Sequence, residues 1–365
     1  MERVKLGDVA IEKRETWTGS IQGVPIVGLE HLVPGEVTLS SWDSDSDNTF
    51  SKMFRKGQVL LGRRRVYLKK AVIAPFDGIC SGDITVIEAI PGKISARLLP
   101  FVIQNERFFD YAMQGSAGSL SPRVKWEHLK DYEFNLPDYE EQDCLADKLW
   151  SALKLRESYQ SLLQATDEMV KSRFISRFLG SSYSQKRLGE VANVFSGKTI
   201  NLELENEGGP IAYLKVADLN LPENDRVVTT SSRFVTEETA RTSGLVPIGA
   251  TIFPKNGAAA LHNKKRITSV TTCVDMNTMA VYSTSNTVIP EYLYAYLESQ
   301  DLAALTLVGA IPQIRAKDVQ SLVIPVPPIR EQEQYVAVMH QADKSKFELK
   351  QAIEKIDKVM RALIQ

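Results

Sequence analysis

In two stretches of the chain, mainly hydrophobic residues recur at alternating spacings of four and three residues. This spacing is typical of the contact face of a long helix in a coiled coil, which we call its seam. In the last segment the seam consists of Tyr335, Met339, Ala342, Lys346, Leu349, Ile353, Ile356, Met360 and Leu363. The equivalent positions earlier in the chain, at an offset of 190, hold Leu145, Leu149, Ala152, Arg156, Tyr159, Leu163, Thr166, Val170 and Arg173. The matching phase predicts two long helices. It favours antiparallel pairing between them, and packing of each on a globular core is the alternative.

The helices close two similar halves of the sequence. "KLGDVA" at residues 5–10 returns as "RLGEVA" at residues 187–192, at an offset of 182. Residues 122–142 align without a gap on 312–332, at an offset of 190, and both end in Glu-Gln. Fixed ends around variable middles indicate a duplicated scaffold that carries divergent domains.

The two middles predict compact mixed domains. "GQVLLG" and "GDITVIEAI" in the first half read as β-strands, and "GATIFP" and "VDMNTMAVYS" occupy their places in the second at an offset of 192. The aromatic segments 106–113 and 290–299 predict helices that pack into the cores.

These patterns predict an α+β protein. We expect two globular mixed α/β domains in a pseudo-two-fold repeat, separated by two long antiparallel coiled-coil helices. The predicted domains cover residues 1–138 and 181–326, and the predicted helices cover 139–180 and 327–365.

Composition excludes several classes of protein. The net charge is −1, so a nucleic-acid surface would have to be local. The N-terminus shows no signal peptide, and no apolar run approaches the ~20 residues of a membrane span. Three dispersed cysteines argue against a disulfide framework, and four histidines lack metal-ligand spacing. We expect a cytoplasmic protein without a metal site.

Positive charge is concentrated at equivalent places in the two halves. Residues 52–70 hold eight Lys/Arg and no acid, and the acid-free segment 254–267 is also basic. Glycine-containing loops at 115–125 and 309–317 add further donors. Arginine binds a guanine edge or a phosphate with two donors, and lysine neutralises phosphates. A solvated surface is the alternative for each run. The candidate DNA contacts are Arg63, Arg64, Arg65, Tyr67, Lys69, Lys70, Arg123, Lys125, Lys255, Asn256, His262, Lys264, Lys265, Arg266, Gln313, Arg315 and Lys317.

Motifs for catalysis are missing from the sequence. There is no phosphate-binding GxxxxGK[ST] loop, no GxGxxG, no HExxH and no nucleophile elbow. The segment "NLPDY" at 135–139 comes near the motif of amino-methyltransferases, but its repeat partner "PVPPI" marks it as scaffold. Together these absences favour a binding subunit over an enzyme.

The chain resembles the specificity subunits of type I restriction–modification systems over nearly its whole length. The resemblance rests on "KLGDVA", "KRLGEVANVFSGK", residues 54–83, and "IPVPPIREQ" leading into a long helix. The first half departs from this pattern, because "LPDYEEQ" replaces the usual Pro-Pro form before its helix.

The resemblance implies that each globular unit is a target recognition domain for one half of a bipartite, asymmetric double-stranded DNA site. It further implies that the helices dock two methyltransferase subunits, to which restriction or translocase subunits are added. No catalysis, cofactor or membrane contact by this chain itself is implied. Three alternatives remain open here: a recognition subunit whose partner fuses nuclease and methyltransferase, a coiled-coil scaffold that binds only proteins, and an enzyme whose motif the sequence does not reveal.

Overall fold

The chain forms two compact units. A computed structural model describes residues 2–44, 48–116, 121–306 and 311–364. The first unit comprises Met1–Gln160 with Lys350–Gln365, and the second comprises Ser161–Leu349. Each unit therefore contains one globular region and a portion of each long helix. The domain boundaries predicted from the sequence instead treat the helices as separate spacers.

The first unit has nine described strands, and the first long helix begins in it. The strands are β1 (Glu2–Lys5), β2 (Ala10–Lys13), β3 (Ile26–Val27), β4 (Lys52–Phe54), β5 (Val59–Gly62), β6 (Ala71–Ile73), β7 (Gly78–Cys80), β8 (Ile84–Ala89) and β9 (Glu133–Leu136). The helices are α1 (Leu6–Val9), α2 (Leu99–Ile103), α3 (Glu106–Gln114), α4 (Trp126–Leu129) and the long α5 (Tyr139–Phe178).

The second unit repeats this order with insertions. Its described strands are β10 (Ser184–Arg187), β11 (Ala192–Ser196), β12 (Ile211–Leu214), β13 (Val227–Val228), β14 (Phe234–Val235), β15 (Thr251–Pro254), β16 (Arg266–Thr268), β17 (Thr272–Val274), β18 (Thr278–Ser283) and β19 (Val323–Val326). Its helices are α6 (Leu188–Val191), α7 (Glu237–Ser243), α8 (Ala258–Leu261), α9 (Pro290–Ser299), α10 (Ala316–Gln320) and the long α11 (Ile329–Ile364).

Each unit is built around a mixed core of sheets and helices. The main sheet has strand order β2-β8-β5-β6 in the first unit and β11-β18-β15-β16-β13 in the second. A smaller three-stranded sheet accompanies each, in the orders β3-β7-β4 and β14-β12-β17. The central strands are apolar runs whose residues are buried, which is why they occupy the middle of their sheets.

The ends of each globular region are tied together by one antiparallel strand pair. In the first unit β1 pairs with β9, with Glu2 opposite Leu136. In the second β10 pairs with β19, with Ser184 opposite Val326. Since these residues are related by the sequence offsets of 182 and 190, the two pairs have the same register.

A buried glutamine fastens the start of each long helix to its own domain. Gln142 donates to the Pro137 carbonyl (3.0 Å) and accepts from the Ser95 amide (2.7 Å). Gln332 donates to the Pro327 carbonyl (2.8 Å) and accepts from the Ile289 amide (3.0 Å). The repeated Glu-Gln of the sequence thus supplies the same buried contacts in both units.

The predicted seam positions of the long helices are buried or half-buried, apart from the exposed Arg173 in the first helix. The basic residue that interrupts each seam is neutralised by an aspartate of the other long helix. Arg156 lies 3.0 Å from Asp357 in the first unit, and Lys346 lies 2.5 Å from Asp167 in the second. The offset of 190 relates both members of the second pair to their counterparts in the first.

Most predicted elements are present. The aromatic helices are α3 and α9, and their Phe108, Phe109, Tyr292 and Tyr296 side chains are buried, as expected of core residues. The predicted offset of 192 holds between β5 and β15, but it is wrong for the next strand, because the starts of β8 and β18 are related by an offset of 194. Two residues are inserted between the strands in the second unit.

Over the described residues, no helix is long and apolar enough to cross a membrane. Among the same residues, no group of three His, Cys, Asp or Glu side chains is placed to hold a metal ion.

Candidate nucleic-acid interface

The structure brings the basic segment and the glycine-containing loop of the first unit together. Arg64 and Arg123 face each other in an isolated antiparallel bridge. The Arg65 amide donates to the Pro122 carbonyl at 2.8 Å, which holds the two chain segments side by side. Two candidate regions that are distant in the sequence therefore form one surface. Residues 117–120 of the loop lie outside the described residues.

The second unit joins its two candidate segments in the same way. Asn256 faces Gln313 in an isolated antiparallel bridge, and the Gly257 amide donates to the Pro312 carbonyl at 2.9 Å. The sequence offset is 192 from Arg64 to Asn256 and 190 from Arg123 to Gln313, so these pairs occupy equivalent places. Residues 309 and 310, at the start of this loop, lie outside the described residues.

A carboxylate that the sequence analysis did not select lies between the arginines of the first unit. Asp83 accepts from Arg123 Nε at 2.7 Å and from Arg123 Nη2 at 3.2 Å, and Arg64 Nη1 lies 3.6 Å away. The Arg123 guanidinium lowers the pKa of the Asp83 carboxyl below its ordinary value, because it stabilises the charged form. We call Arg64, Asp83 and Arg123 the first polar triad.

The second unit has amides in the same three places. Gln313 Nε2 donates to Asn256 Oδ1 at 3.1 Å, and Asn256 Nδ2 donates to Asn277 Oδ1 at 3.2 Å. Asn277 corresponds to Asp83, because the Arg63 amide donates to the Asp83 carbonyl (2.9 Å) as the Lys255 amide does to the Asn277 carbonyl (2.8 Å). We call Asn256, Asn277 and Gln313 the second polar triad. The strand registers relate Asp83 to Asn277 at an offset of 194, and neither residue lies in a candidate segment of the sequence analysis.

A strained turn presents a tyrosine beside the first triad. Arg65 and Lys69 have φ values of 53° and 51°, and they flank a 3₁₀ turn over Val66–Leu68. Residues other than glycine rarely adopt this conformation, and it is concentrated at functional sites. Val66 is buried beneath the turn, while the Tyr67 side chain is half exposed, so its ring and hydroxyl remain accessible.

Two of the predicted contacts in the second unit serve its own structure. Lys265 is 2% exposed, and its ammonium donates to Asn263 Oδ1 (2.8 Å) and the Gln300 carbonyl (3.1 Å). Burial lowers the pKa of Lys265 to about 8. Arg266 donates through Nε to the Asn224 carbonyl at 2.7 Å. The structure does not support the prediction that these two residues contact DNA.

Three further candidates are already bonded within their domains. Lys70 Nζ donates to the Leu29 carbonyl at 2.6 Å. Lys264 Nζ bonds to the side chain of Asn220, and Arg315 forms a two-pronged ion pair with Asp318. These contacts orient the three half-buried side chains within their own domains.

The remaining basic candidates are at least partly accessible. The exposed ones are Arg65, Lys125, His262 and Lys317, and the half-buried ones are Arg63, Lys69 and Lys255. The predicted surface is therefore divided between accessible groups around the two triads and groups that stabilise their own domains.

The second half of the chain matches a sequence family. Residues 181–358 match the model of the type I restriction modification DNA specificity domain. The specificity subunit of the type I restriction enzyme EcoDI of Escherichia coli is 24% identical over 188 residues. That match covers 50% of this chain and only 38% of the length of the E. coli protein.

Solved structures share the fold over the whole chain. A chain from a structure on complex assembly and conformational transition of the type I R-M system superposes with a TM-score of 0.64, at 16% identity, covering 100% of this chain and 96% of that one. The type I restriction–modification S subunit from M. genitalium gives 0.57 at 14% identity, covering 100% and 96%. The second half of the chain therefore resembles the type I restriction modification DNA specificity domain, and the whole chain shares the fold of the M. genitalium type I S subunit.

Proposed function

We propose that this chain is the DNA specificity subunit of a type I restriction–modification complex. Each globular unit reads one half of a bipartite, asymmetric double-stranded target. The observation that carries the proposal is the pair of polar triads, which occupy equivalent backbone positions but differ in every side chain. Equivalent positions fix how each unit meets the duplex, and different side chains make the two half-sites different.

Under this proposal the chain supplies recognition and its partners supply chemistry. It binds two methyltransferase subunits and, through the assembled complex, restriction or translocase subunits, and it holds no cofactor of its own. Residues 1–138 and 181–326 act as the two target recognition domains. The two long helices act as an antiparallel pair, which the Arg156–Asp357 and Lys346–Asp167 ion pairs support.

The experiment that tests this function is sequencing of modified bases in host DNA with and without the gene. We expect a methylated motif of two specified segments around an unspecified spacer, which disappears on deletion and returns when the gene is supplied again. A modification pattern that is unchanged by deletion would contradict the proposal. Supplying the gene with a frameshift early in the reading frame controls for effects of the DNA insert itself.

An exposed apolar stripe on α5 is suited to partner docking. Leu155, Leu162 and Met169 follow one another at intervals of seven residues, and each is 43–50% exposed. Seven residues are close to two helical turns, so the three side chains project from one face. A row of exposed large hydrophobic residues on a long helix is typical of a surface that another protein covers.

We expect Leu155→Ser, Leu162→Ser and Met169→Ser, made together, to abolish copurification of the methyltransferase subunits. Fully burying such a side chain contributes about 1.5–3 kcal/mol, and since each is about half exposed, docking gains roughly half of that per residue. Loss of all three therefore weakens binding about 50- to 2,000-fold. The measurement is quantitative mass spectrometry of complexes purified through this chain. Lys154→Ser with Glu168→Ser, at exposed positions of the same helix, is the matched control. Undiminished recovery of the partner would show that the stripe is not its docking surface.

A further inference from the structure

One edge of the Arg123 guanidinium is engaged by Asp83, and the rest of the group is accessible. The contacts use Nε and one N–H of Nη2, and the arginine side chain is 43% exposed. The guanidinium has five N–H donors and no acceptor. Asp83 therefore fixes the plane of the guanidinium group. One N–H of Nη1 and the second N–H of Nη2 point away from Asp83 and remain free, and they form two roughly parallel donors.

The Arg64 side chain is held in the same cluster. Its Nε donates to Ser121 Oγ at 2.9 Å, and its Nη1 lies 3.6 Å from Asp83 Oδ2. Asp83 thus lies between two arginines, which keeps the carboxylate ionised and orients both guanidinium groups. A side chain that is oriented before binding loses less conformational entropy when it contacts a ligand.

Gln313 is held in a comparable way by a chain of amides. Its Nε2 donates to Asn256, Asn256 donates to Asn277, and Asn277 Nδ2 donates to Asp275 Oδ2 at 3.2 Å. Because Asp275 is an acceptor at the end of this chain, the orientation of each amide follows from its neighbour. Gln313 is exposed, and it retains one N–H donor and its Oε1 acceptor for a ligand.

The two outermost groups match different bases. Guanine presents two acceptors, N7 and O6, in the major groove, and adenine presents one acceptor, N7, and one donor, the N6 amino group. The remaining donors of Arg123 fit the guanine edge. The remaining donor and acceptor of Gln313 fit the adenine edge.

We infer that Arg123 reads a guanine in one half of the target and that Gln313, in the equivalent position of the second unit, reads an adenine in the other half. Asp83 and Asn256 act as the positioning residues. The inference rests on the proposed function and specifies which bases the two units select.

A phosphate is a poorer ligand for both positions. The Asp83 carboxylate lies 2.7 Å from Arg123 Nε, so it cancels much of the positive charge and repels an anion. Gln313 has no charge to offer a phosphate. A base edge carries no charge, so it can bond to the free groups of Arg123 and Gln313 without being repelled by the Asp83 carboxylate and without disturbing the chain of amides.

The test uses the full chain, purified from its host with the subunits that it carries, and a library of random DNA duplexes. Sequencing of the bound duplexes gives the base preference at each position of both half-sites. We expect Arg123→Ala to reduce the preference for guanine about 5- to 150-fold at one base pair of one half-site, since a two-pronged base contact contributes that much discrimination. The second half-site should be unchanged, which also shows that the variant is folded.

Arg107→Ala is the matched control, because it removes one exposed positive charge from α3 of the same unit. We expect it to leave the guanine preference unaltered. Asp83→Asn should weaken the preference at the same base pair as Arg123→Ala, because it loosens the orientation of the guanidinium and leaves its donors in place.

Exchange of the triad side chains is the stronger test. Gln313→Arg with Asn277→Asp and Asp275→Ser gives the second unit the aspartate-held arginine of the first, because Ser81 stands at the place of Asp275 there and no second carboxylate faces the aspartate. We expect the preferred base at one pair of the second half-site to change from adenine to guanine. The inference is overturned if the wild-type complex selects a bipartite sequence whose guanine and adenine preferences do not respond to these substitutions. If the wild-type complex selects no sequence at all, the proposed function itself fails and the inference fails with it.

Discussion

A chain in which residues 192–315 are replaced by residues 10–125 of the same protein is expected to select DNA that carries the first half-site twice. The half-site of the second unit should disappear from the selected sequences. Each lost base-pair contact weakens binding to the original target by ~1–3 kcal/mol. Two or more such losses reduce affinity about 30-fold or more.

The structure supplies the reason that this exchange should fold. Residues 10 and 192 begin β2 and β11, directly after α1 and α6, and residues 125 and 315 directly precede α4 and α10. The β1–β9 and β10–β19 pairs, which lie outside the exchanged segments, have the same register. A cassette from the first unit therefore meets the same backbone frame in the second.

The exchange removes an ion pair between the exchanged segment and α11, and it replaces Thr287 and Ile289, which bond to Gln332, by the segment around Ser95, which bonds to Gln142 in the first unit. Arg226 forms an ion pair with Asp343, which also lies 3.4 Å from Lys346 and so keeps a partner. Arg226→Gln in the wild-type chain is the control for loss of this ion pair, and it should keep both original half-sites. Selection from a random duplex library is the measurement. A folded, assembled chimera that still selects the second half-site, or that loses the first, would contradict independent reading by the two units.

The repeat and the long helices were predictable because they depend on local patterns that recur in the sequence. A heptad seam predicts a helix from spacing alone, and α5 and α11 lie within the predicted ranges. The left-handed Gly180, with φ of 77°, follows the last helical residue of α5 closely, as expected for a glycine that ends a helix. Repetition of the helix seam at an offset of 190 made this signal specific.

The composition of the polar triads was only partly predictable. Arg64, Arg123, Asn256 and Gln313 stand in segments that the charge pattern marks. Asp83 is not marked, because it is acidic and directly precedes a strand, and its contact with Arg123 depends on tertiary structure that joins distant parts of the first unit. Its equivalence to Asn277 is hidden by the two-residue insertion, which only the strand registers reveal.

The sequence also does not show which basic side chains are buried in the fold and which remain accessible to a ligand. Lys264, Lys265 and Arg266 are consecutive basic residues, and no local pattern distinguishes them. Lys265 directly precedes β16, and its side chain points into the domain. Its ammonium donates hydrogen bonds to the Asn263 and Gln300 carbonyls. Such inward placement depends on tertiary contacts that composition does not encode.

Gln332→Leu is expected to destabilise the second unit by about 2.5–7.5 kcal/mol, because the Pro327 carbonyl and the Ile289 amide lose their partner at ~1–3 kcal/mol each and the more accessible Thr287 carbonyl loses a hydrogen bond worth ~0.5–1.5 kcal/mol. The side chain is fully buried and bonds to the Thr287 and Pro327 carbonyls and to the Ile289 amide. Leucine has a similar volume but no polar group. The expected loss is a large part of the ~5–15 kcal/mol that stabilises a typical domain.

Gln142→Leu makes the same change in the first unit, where the glutamine bonds to two backbone groups, the Ser95 amide and the Pro137 carbonyl. We expect a somewhat smaller loss of about 2–6 kcal/mol, confined to that unit. Glu333→Leu, at an exposed position next to Gln332, controls for adding leucine to the helix start.

Hydrogen exchange followed by mass spectrometry measures the two effects separately, because peptides from each globular region report on its own opening. In Gln332→Leu, peptides around Ile289 should exchange by orders of magnitude faster, while those around Ser95 keep their wild-type rates. Gln142→Leu should give the opposite pattern. If either substitution changes the free energy of opening by less than about 1 kcal/mol, the buried glutamine is not what fastens the helix to the domain. In that case the repeated Glu-Gln must be explained by its neighbouring glutamate, which in the second unit is Glu331, a partner of Arg177.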